Sequence, residues 1–122
     1  MPKVAGARNL LAACDPDRLR LFITFGSILA RVGMRGEADY ALANEWLRDL
    51  TERFSEEHPL CRCLALEWSL WSGAGMGERL GRVEALIREG VTPITVDQGV
   101  QTLRDLLGRS LTICLAFTLS GP

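Results

Sequence analysis

The residues that could perform chemistry are few, and their spacing does not support catalysis. Gly73-Ala74-Gly75-Met76-Gly77 resembles a phosphate-binding loop, but the dinucleotide fingerprint needs a further glycine where Glu78 stands. An interhelical turn is the better interpretation. His58 lies beside two glutamates that could pair with it as a base, yet Pro59 follows it and places it in a turn. The serines have no partner histidine at a recognisable spacing, so the sequence predicts no catalytic residue and no enzyme.

The four cysteines are Cys14, Cys61, Cys63 and Cys114, and we expect them to be buried and reduced. Cys61 and Cys63 are one residue too close for the usual zinc-binding spacing, and on a helix their thiols would point to different sides. The single histidine excludes histidine-rich metal sites. The sequence therefore predicts no metal and no cofactor.

Composition and charge exclude several functional classes. The chain has 122 residues, 48% of them hydrophobic and 24% charged, as expected for one globular domain. Its net charge of −1 gives no bulk attraction to nucleic-acid phosphates. No apolar run is long enough to span a bilayer, and the N-terminus lacks the apolar core of a signal peptide. We expect a cytoplasmic protein without nucleic-acid or membrane partners that acts by binding.

The elements that would position these residues are predicted to be helices. Apolar residues recur every three or four positions, which predicts an all-α fold of stacked antiparallel helical hairpins. We expect a first helix at about 4–14, and Asp15-Pro16-Asp17 reads as the start of the next. Further helices are predicted from Glu37 to Phe54 and from Gly77 to Glu89. One domain would cover residues 1–122, with hairpins at about 16–54 and 59–89, a closing helix at about 96–108, and a tail at 109–122 without an assigned structure. Thr95 and Gln98 form a capping box for the closing helix.

The first hairpin resembles a tetratricopeptide repeat. It carries large and small residues at the spacing of that motif, namely Phe22, Phe25, Gly26, Leu29, Gly33, Ala38 and Leu42. Small residues would allow the two helices to cross closely, and large ones would fill the gaps beside the crossing. The second hairpin matches less well, because Trp68 stands where the motif has a small residue. The resemblance implies a tetratricopeptide-like array.

Three tryptophans are the most informative aromatic residues: Trp46, Trp68 and Trp71. Core packing is one interpretation, and a groove for a partner is the other, because tryptophan is enriched at binding hot spots. Trp68 and Trp71 lie one helical turn apart together with Leu64, so they could form one apolar strip. Such a strip on a concave helical array is suited to binding an amphipathic helix.

Three stretches resemble the needle-subunit chaperones of type III secretion systems. Residues 64–70, followed by Gly73-Ala74 and Arg79-Leu80, are similar to the last hairpin of that family, and residues 18–42 to the hairpin before it. Pro93, Gly99 and Leu103-Arg104 are similar to its closing helix. The resemblance covers about residues 17–107. It implies a chaperone that holds an amphipathic helix of the needle subunit in a concave apolar groove, beside a small helical co-chaperone, and so prevents premature polymerisation.

This resemblance places the partner-binding surface on the first helix of each hairpin. The residues expected to contact or border the bound helix are Ile23, Ser27, Ala30, Leu64, Ala65, Trp68, Ser69 and Trp71. The alternative is a generic tetratricopeptide-like scaffold with an unrelated partner.

Overall fold

The chain combines three described helices with five strands. A computed structural model describes residues 2–27, 38–69, 71–72, 87–88, 90, 92–109 and 115–119. The helices are α1 (Pro2–Ala13), α2 (Ala38–Glu57) and α3 (Val96–Leu107). The strands are β1 (Leu21–Ser27), β2 (Arg62–Trp68), β3 (Trp71–Ser72), β4 (Ile94–Thr95) and β5 (Leu115–Leu119).

The main sheet is parallel and has three described strands in the order β1-β2-β5. β1 pairs with β2 from Leu21↔Arg62 to Ser27↔Trp68, and Trp68 in turn pairs with Leu119. α2 connects β1 to β2, as expected for a crossover between parallel neighbours. β3 and β4 form a second, two-stranded parallel sheet. Because the strands of the main sheet run the same way, their carboxyl ends share one edge.

Helices cover both faces of the central strand. Leu64, Leu66 and Trp68 pack in one core cluster with Ile94 and with Leu106 of α3. The alternate residue Cys63 packs with Phe54 of α2, and α1 contributes Leu11 to the same cluster. Every residue of β2 except Arg62 is buried. The molecule is therefore an α/β fold with a doubly covered parallel sheet.

The predicted all-α, tetratricopeptide-like fold is wrong, and the physical reason lies in β1 and β2. Strands buried on both faces carry near-continuous apolar runs without polar alternation, and such runs resemble buried helices in sequence. Leu21–Ser27 and Arg62–Trp68 both carry such apolar runs, although only Arg62–Trp68 is buried on both faces, and in Leu21–Ser27 only Thr24 is buried. The predicted hairpins at 16–54 and 59–89 each begin with one of these strands. Within the described part of the chain, neither is a helical hairpin.

Asp15 illustrates how a correct local signal led to a wrong element. The Asp15 carboxylate accepts a hydrogen bond from the Asp17 backbone N–H at 3.0 Å, as a helix cap would. The Leu19 backbone N–H donates to the Asp15 carbonyl, as in one turn of a helix. The helix does not continue, because the chain enters β1 at Leu21. The cap therefore closes a single turn and starts no helix.

Other local predictions are confirmed. α1 and α2 lie close to the predicted helices, and α3 begins at the predicted capping box, where the Thr95 hydroxyl accepts from the Gln98 N–H. Cys61 and Cys63 are buried free thiols, whereas Cys14 is exposed, contrary to expectation. Cys114 and most of the helix predicted between Gly77 and Glu89 lie outside the described residues.

Arg62 fixes the end of α3 to the sheet. Its guanidinium donates to the carbonyls of Leu106 at 2.6 Å and Leu107 at 2.8 Å, and also to that of Arg109. These carbonyls lie at the helix C-terminus, where acceptors lack helical partners and a cation is favourable. These hydrogen bonds hold the C-terminus of α3 against the first residue of β2.

Candidate active site

Two polar side chains meet near the carboxyl end of β1. Gly26 and Ser27 are the last two residues of that strand, and Asn44 of α2 lies beside Gly26. In open α/β sheets, ligands bind outside the carboxyl ends of the parallel strands. This edge is therefore the part of the fold in which a functional site is expected.

The central contact of the site joins Lys3 to Asn44. The Lys3 ammonium donates to Asn44 Oδ1 at 2.6 Å, across 41 residues of sequence. Asn44 is buried in α2, with 1% of its surface exposed. A Cβ placed on Gly26 would lie 3.9 Å from the same Asn44 Oδ1, which locates the contact beside the end of β1.

Lys3 as a whole is exposed, but partial burial of its side chain against α2 lowers its pKa below 10.5. Removing a cation from water disfavours its charged form. Hydrogen bonding to Asn44 acts in the opposite sense, because an amide oxygen stabilises the protonated amine. A titratable group that is partly desolvated and held by a specific polar partner is typical of functional sites.

Ser27 and Tyr40 complete the set of polar residues by position. Ser27 ends β1, is half-buried, and pairs in register with Trp68. Tyr40, the single tyrosine, precedes Asn44 by four residues in α2, so the two positions share one side of the helix. Hydroxyl, phenol, amide and ammonium groups are the kinds of group that bind and protonate a carbonyl oxygen, and Tyr40 and Ser27 belong to the candidate site by position alone.

An ion pair lies one helical turn along α2 from the Lys3–Asn44 contact. Arg48 Nη1 of α2 donates to Glu67 Oε1 of β2 at 3.1 Å. The Glu67 side chain is 3% exposed, and that of Arg48 is 22% exposed. Further along α2, the Thr51 hydroxyl bonds the Thr24 hydroxyl of β1 at 2.7 Å. The interface between α2 and the sheet therefore contains a series of polar contacts that ends at Asn44.

The residues predicted to bind a partner lie mostly in the core. Leu64, Ala65, Trp68 and Ser69 are buried, and the Ser69 hydroxyl donates to the Thr92 carbonyl at 2.8 Å. Ile23, Ser27 and Trp71 are half-buried, and Ala30 lies outside the described residues. As contact residues they stay predictions, but the structure assigns a packing role to the four buried ones.

The tryptophans divide between core and surface. Trp68 is buried between Phe25 and Trp71, with ring centroids 5.4 and 4.7 Å away, respectively. Trp46 is 46% exposed on α2. Among the described residues, no group of side chains is arranged to hold a metal ion, and no helix is long and apolar enough to cross a membrane.

Comparison with known proteins identifies the class to which this fold and site belong. The family model of the KR domain matches residues 1–73. The solved structure of PlmKR1, a ketoreductase from the first module of phoslactomycin biosynthesis in Streptomyces sp. HK803, superposes with a TM-score of 0.77 at 31% identity. It covers 93% of this chain, and this chain covers 25% of it.

Curated relatives agree with this assignment. Polyketide synthase PksL of Bacillus subtilis (strain 168) is 33% identical over 109 residues, covering 87% of this chain. The 6-methylsalicylic acid synthase of Aspergillus niger is 36% identical over 99 residues, covering 80%. The chain spans only 2% and 6% of the lengths of these two proteins.

The chain belongs to the KR (ketoreductase) domain family of polyketide synthases, with a Rossmann-like α/β fold. The predicted type III secretion chaperone, its needle-subunit and co-chaperone partners, and the tetratricopeptide-like scaffold are therefore wrong, as is the expectation of a non-enzymatic family. The apolar strip that suggested a groove for a helix is part of the core: Leu64 and Trp68 are buried in one cluster with Leu106 of α3, and Trp71 of β3 packs against that cluster.

Sequence reasoning missed Lys3, Tyr40 and Asn44. Each carries a weak signal: Lys3 is the only lysine, Tyr40 is the only tyrosine, and Tyr40 and Asn44 are one helical turn apart. These signals indicate a site only if Leu21–Ser27 is recognised as a strand. Ser27 is then the last residue of a strand that precedes a helix, and ligands bind at the carboxyl ends of such strands. Periodicity alone does not distinguish this strand from a helix.

Proposed function

We propose that this chain supplies the catalytic edge of a ketoreductase that reduces a ketone of an acyl chain to a secondary alcohol. The observation that carries the proposal is the Lys3–Asn44 contact at the carboxyl edge of the parallel sheet, beside Ser27. The family membership and the names of the relatives support the same reaction class.

Ketone reduction needs a hydride at the carbonyl carbon and a proton at the carbonyl oxygen. As the hydride arrives, negative charge develops on that oxygen, and preorganised donors at the site stabilise it. In this proposal the Ser27 hydroxyl donates to the carbonyl oxygen and the Tyr40 phenol transfers the proton. The Lys3 ammonium stabilises the negative charge that the phenol acquires, and Asn44 fixes the ammonium in place.

The donor set fits a reduced nicotinamide cofactor, which supplies the hydride when bound. Ammonium and hydroxyl donors at the carboxyl edge of an open parallel sheet are suited to ribose hydroxyls, and dinucleotides bind at this edge. Lys3 and Ser27 would hold that part of the cofactor. The sequence contains no G-x-G-x-x-G pattern, so its pyrophosphate is not assigned to residues of this chain.

The substrate class follows from the chemistry named in the relatives. Polyketide synthases such as PksL build polyketide chains, so we propose a β-ketoacyl thioester as the substrate. The chain spans a small part of each relative, so the activity of the relatives as whole proteins comes to it only as part of this proposal. The cytoplasmic location expected from the sequence stays a prediction.

The test is reduction of a minimal substrate by the natural full-length protein. The acetoacetyl thioester of N-acetylcysteamine is incubated with NADPH or with NADH, and the product is identified by mass spectrometry. We expect cofactor oxidation coupled to formation of the 3-hydroxybutyryl thioester. The butyryl thioester, which lacks the ketone, serves as the matched control and is expected to cause no oxidation. A folded protein that leaves the ketone unchanged with both cofactors contradicts the proposal.

A further inference from the structure

The side of α2 that faces the sheet is unusually polar for a helix that covers a core. Asn44, Arg48 and Thr51 succeed one another at intervals of three or four residues, so they lie along one side of the helix. Each makes a polar contact with a different element: Lys3 of α1, Glu67 of β2 and Thr24 of β1. Polar contacts therefore hold α2 against its neighbours at three successive positions along its length.

The Arg48–Glu67 ion pair lies next to Asn44, the residue of this set that contacts Lys3. Glu67 pairs in register with Gly26, the residue before Ser27. A Cβ on Gly26 would lie 3.8 Å from Glu67 Cγ and 3.9 Å from Asn44 Oδ1, so both side chains border the same point. Arg48 follows Asn44 by one helical turn, so the ion pair lies one turn further along α2 than the Asn44 amide.

Stability alone does not account for an ion pair at this position. Removing two charges from water costs free energy that their attraction often fails to recover, and packed apolar residues of similar size are often equally stable or better. A directional contact nevertheless restricts how a helix can rotate and slide, which apolar packing does less strictly. Functional groups need to be held within about 0.5 Å of their working geometry.

We propose that Arg48 and Glu67 are positioning residues that fix the rotation and height of α2, so that Asn44 meets the Lys3 ammonium. They touch neither substrate nor cofactor in this scheme. Their effect passes through Asn44 to Lys3, and its consequence for catalysis rests on the proposed ketoreductase function.

The test replaces the pair by two unbranched apolar residues, Arg48→Met with Glu67→Met. The double substitution leaves the net charge near Lys3 unchanged, and it leaves no buried charge unpaired. The matched control is Glu52→Met with Arg53→Met, which removes one charge of each sign from exposed positions of the same helix. Thermal unfolding of both variants establishes that they fold.

The first measurement does not depend on activity. Amine-reactive labelling of Lys3 in the full-length protein is followed against pH by mass spectrometry. If the pair positions Asn44, its removal weakens the acceptor on the ammonium, the pKa of Lys3 falls, and labelling at a fixed pH accelerates several-fold. Asn44→Ala is expected to give the same shift, and adding it to the double variant gives no further shift. An unmoved labelling midpoint in the folded double variant overturns the proposal.

The second measurement separates this inference from the proposed function. In ketone reduction, we expect the double variant to lower kcat about tenfold with little change in KM, and to lower it no further in an Asn44→Ala background. Losses that multiply independently with that of Asn44→Ala overturn the positioning role. An inactive wild-type protein would contradict the proposed function. The labelling result would still decide whether Arg48 and Glu67 position Asn44.

Discussion

Lys3 shows at the scale of one residue how a fold changes the chemistry of a side chain. Its ammonium contacts the amide of Asn44, and burial lowers its pKa below the ordinary 10.5. The sequence identifies Lys3 only as one basic residue among fourteen. The partner that gives it a role is 41 residues away, and no spacing rule connects positions 3 and 44.

The pH dependence of ketone reduction follows from this lowered pKa. Above it, Lys3 loses the positive charge that stabilises a phenolate, and its hydrogen bond to Asn44 is weaker, so we expect kcat to fall on the alkaline side before pH 10.5. In the same window the unfolded chain binds a proton that the folded chain does not, so this titration raises the free energy of unfolding as pH rises. Kinetics and thermal unfolding measured across this range check both signs. A fall in kcat that tracks unfolding would contradict the assignment.

At the scale of elements, the sequence predicts helices better than strands. α1, α2 and the capping box of α3 were predictable because helix signals are local: caps, periodicity and i,i+4 spacing. β1 and β2 were not, because each pairs with a strand about 40 residues away in the sequence, and because the near-continuous apolar run of β2, which is buried on both faces, resembles a buried helix. The aromatic and β-branched content of Phe22-Ile23-Thr24-Phe25 was the available strand signal, and the apolar period obscured it.

Gly99 of α3 gives a prediction at this scale. A Cβ at Gly99 would lie 2.6 Å from Trp71 Cζ3, closer than side-chain carbons approach, so the Trp71 ring requires glycine there. We expect Gly99→Ala to lower the free energy of unfolding by about 1–2 kcal/mol, because overpacking outweighs the helix propensity gained from alanine. Urea denaturation measures the change.

Two comparisons make the Gly99 experiment specific. Gly6→Ala in α1 meets no atom within 4 Å, so it serves as the matched control and is expected to stabilise by up to about 1 kcal/mol. In a Trp71→Leu background, the penalty of Gly99→Ala should largely disappear. An equal penalty in both backgrounds would show that the contact between Trp71 and Gly99 is not its cause.

At the scale of the whole molecule, the apolar content of the chain has a different explanation from the one its sequence suggested. The apolar strip of Leu64, Trp68 and Trp71 suggested a surface for a partner, whereas the structure uses such apolar residues to bury the central strand of a parallel sheet from both sides. The candidate site is built from α1, β1 and α2 together, so it exists only when the sheet has formed. Family membership and the position of this site at the carboxyl edge together favour ketone reduction.

The most direct test of this account compares Lys3→Met with Arg8→Met in the natural full-length protein. Both residues are exposed in α1 and each substitution removes one positive charge, but the Lys3 ammonium contacts Asn44. Single-turnover reduction of the acetoacetyl thioester is measured at neutral pH. The account predicts a loss of at least about 100-fold for Lys3→Met and a rate near that of the wild type for Arg8→Met. Equal rates for two folded variants would contradict it.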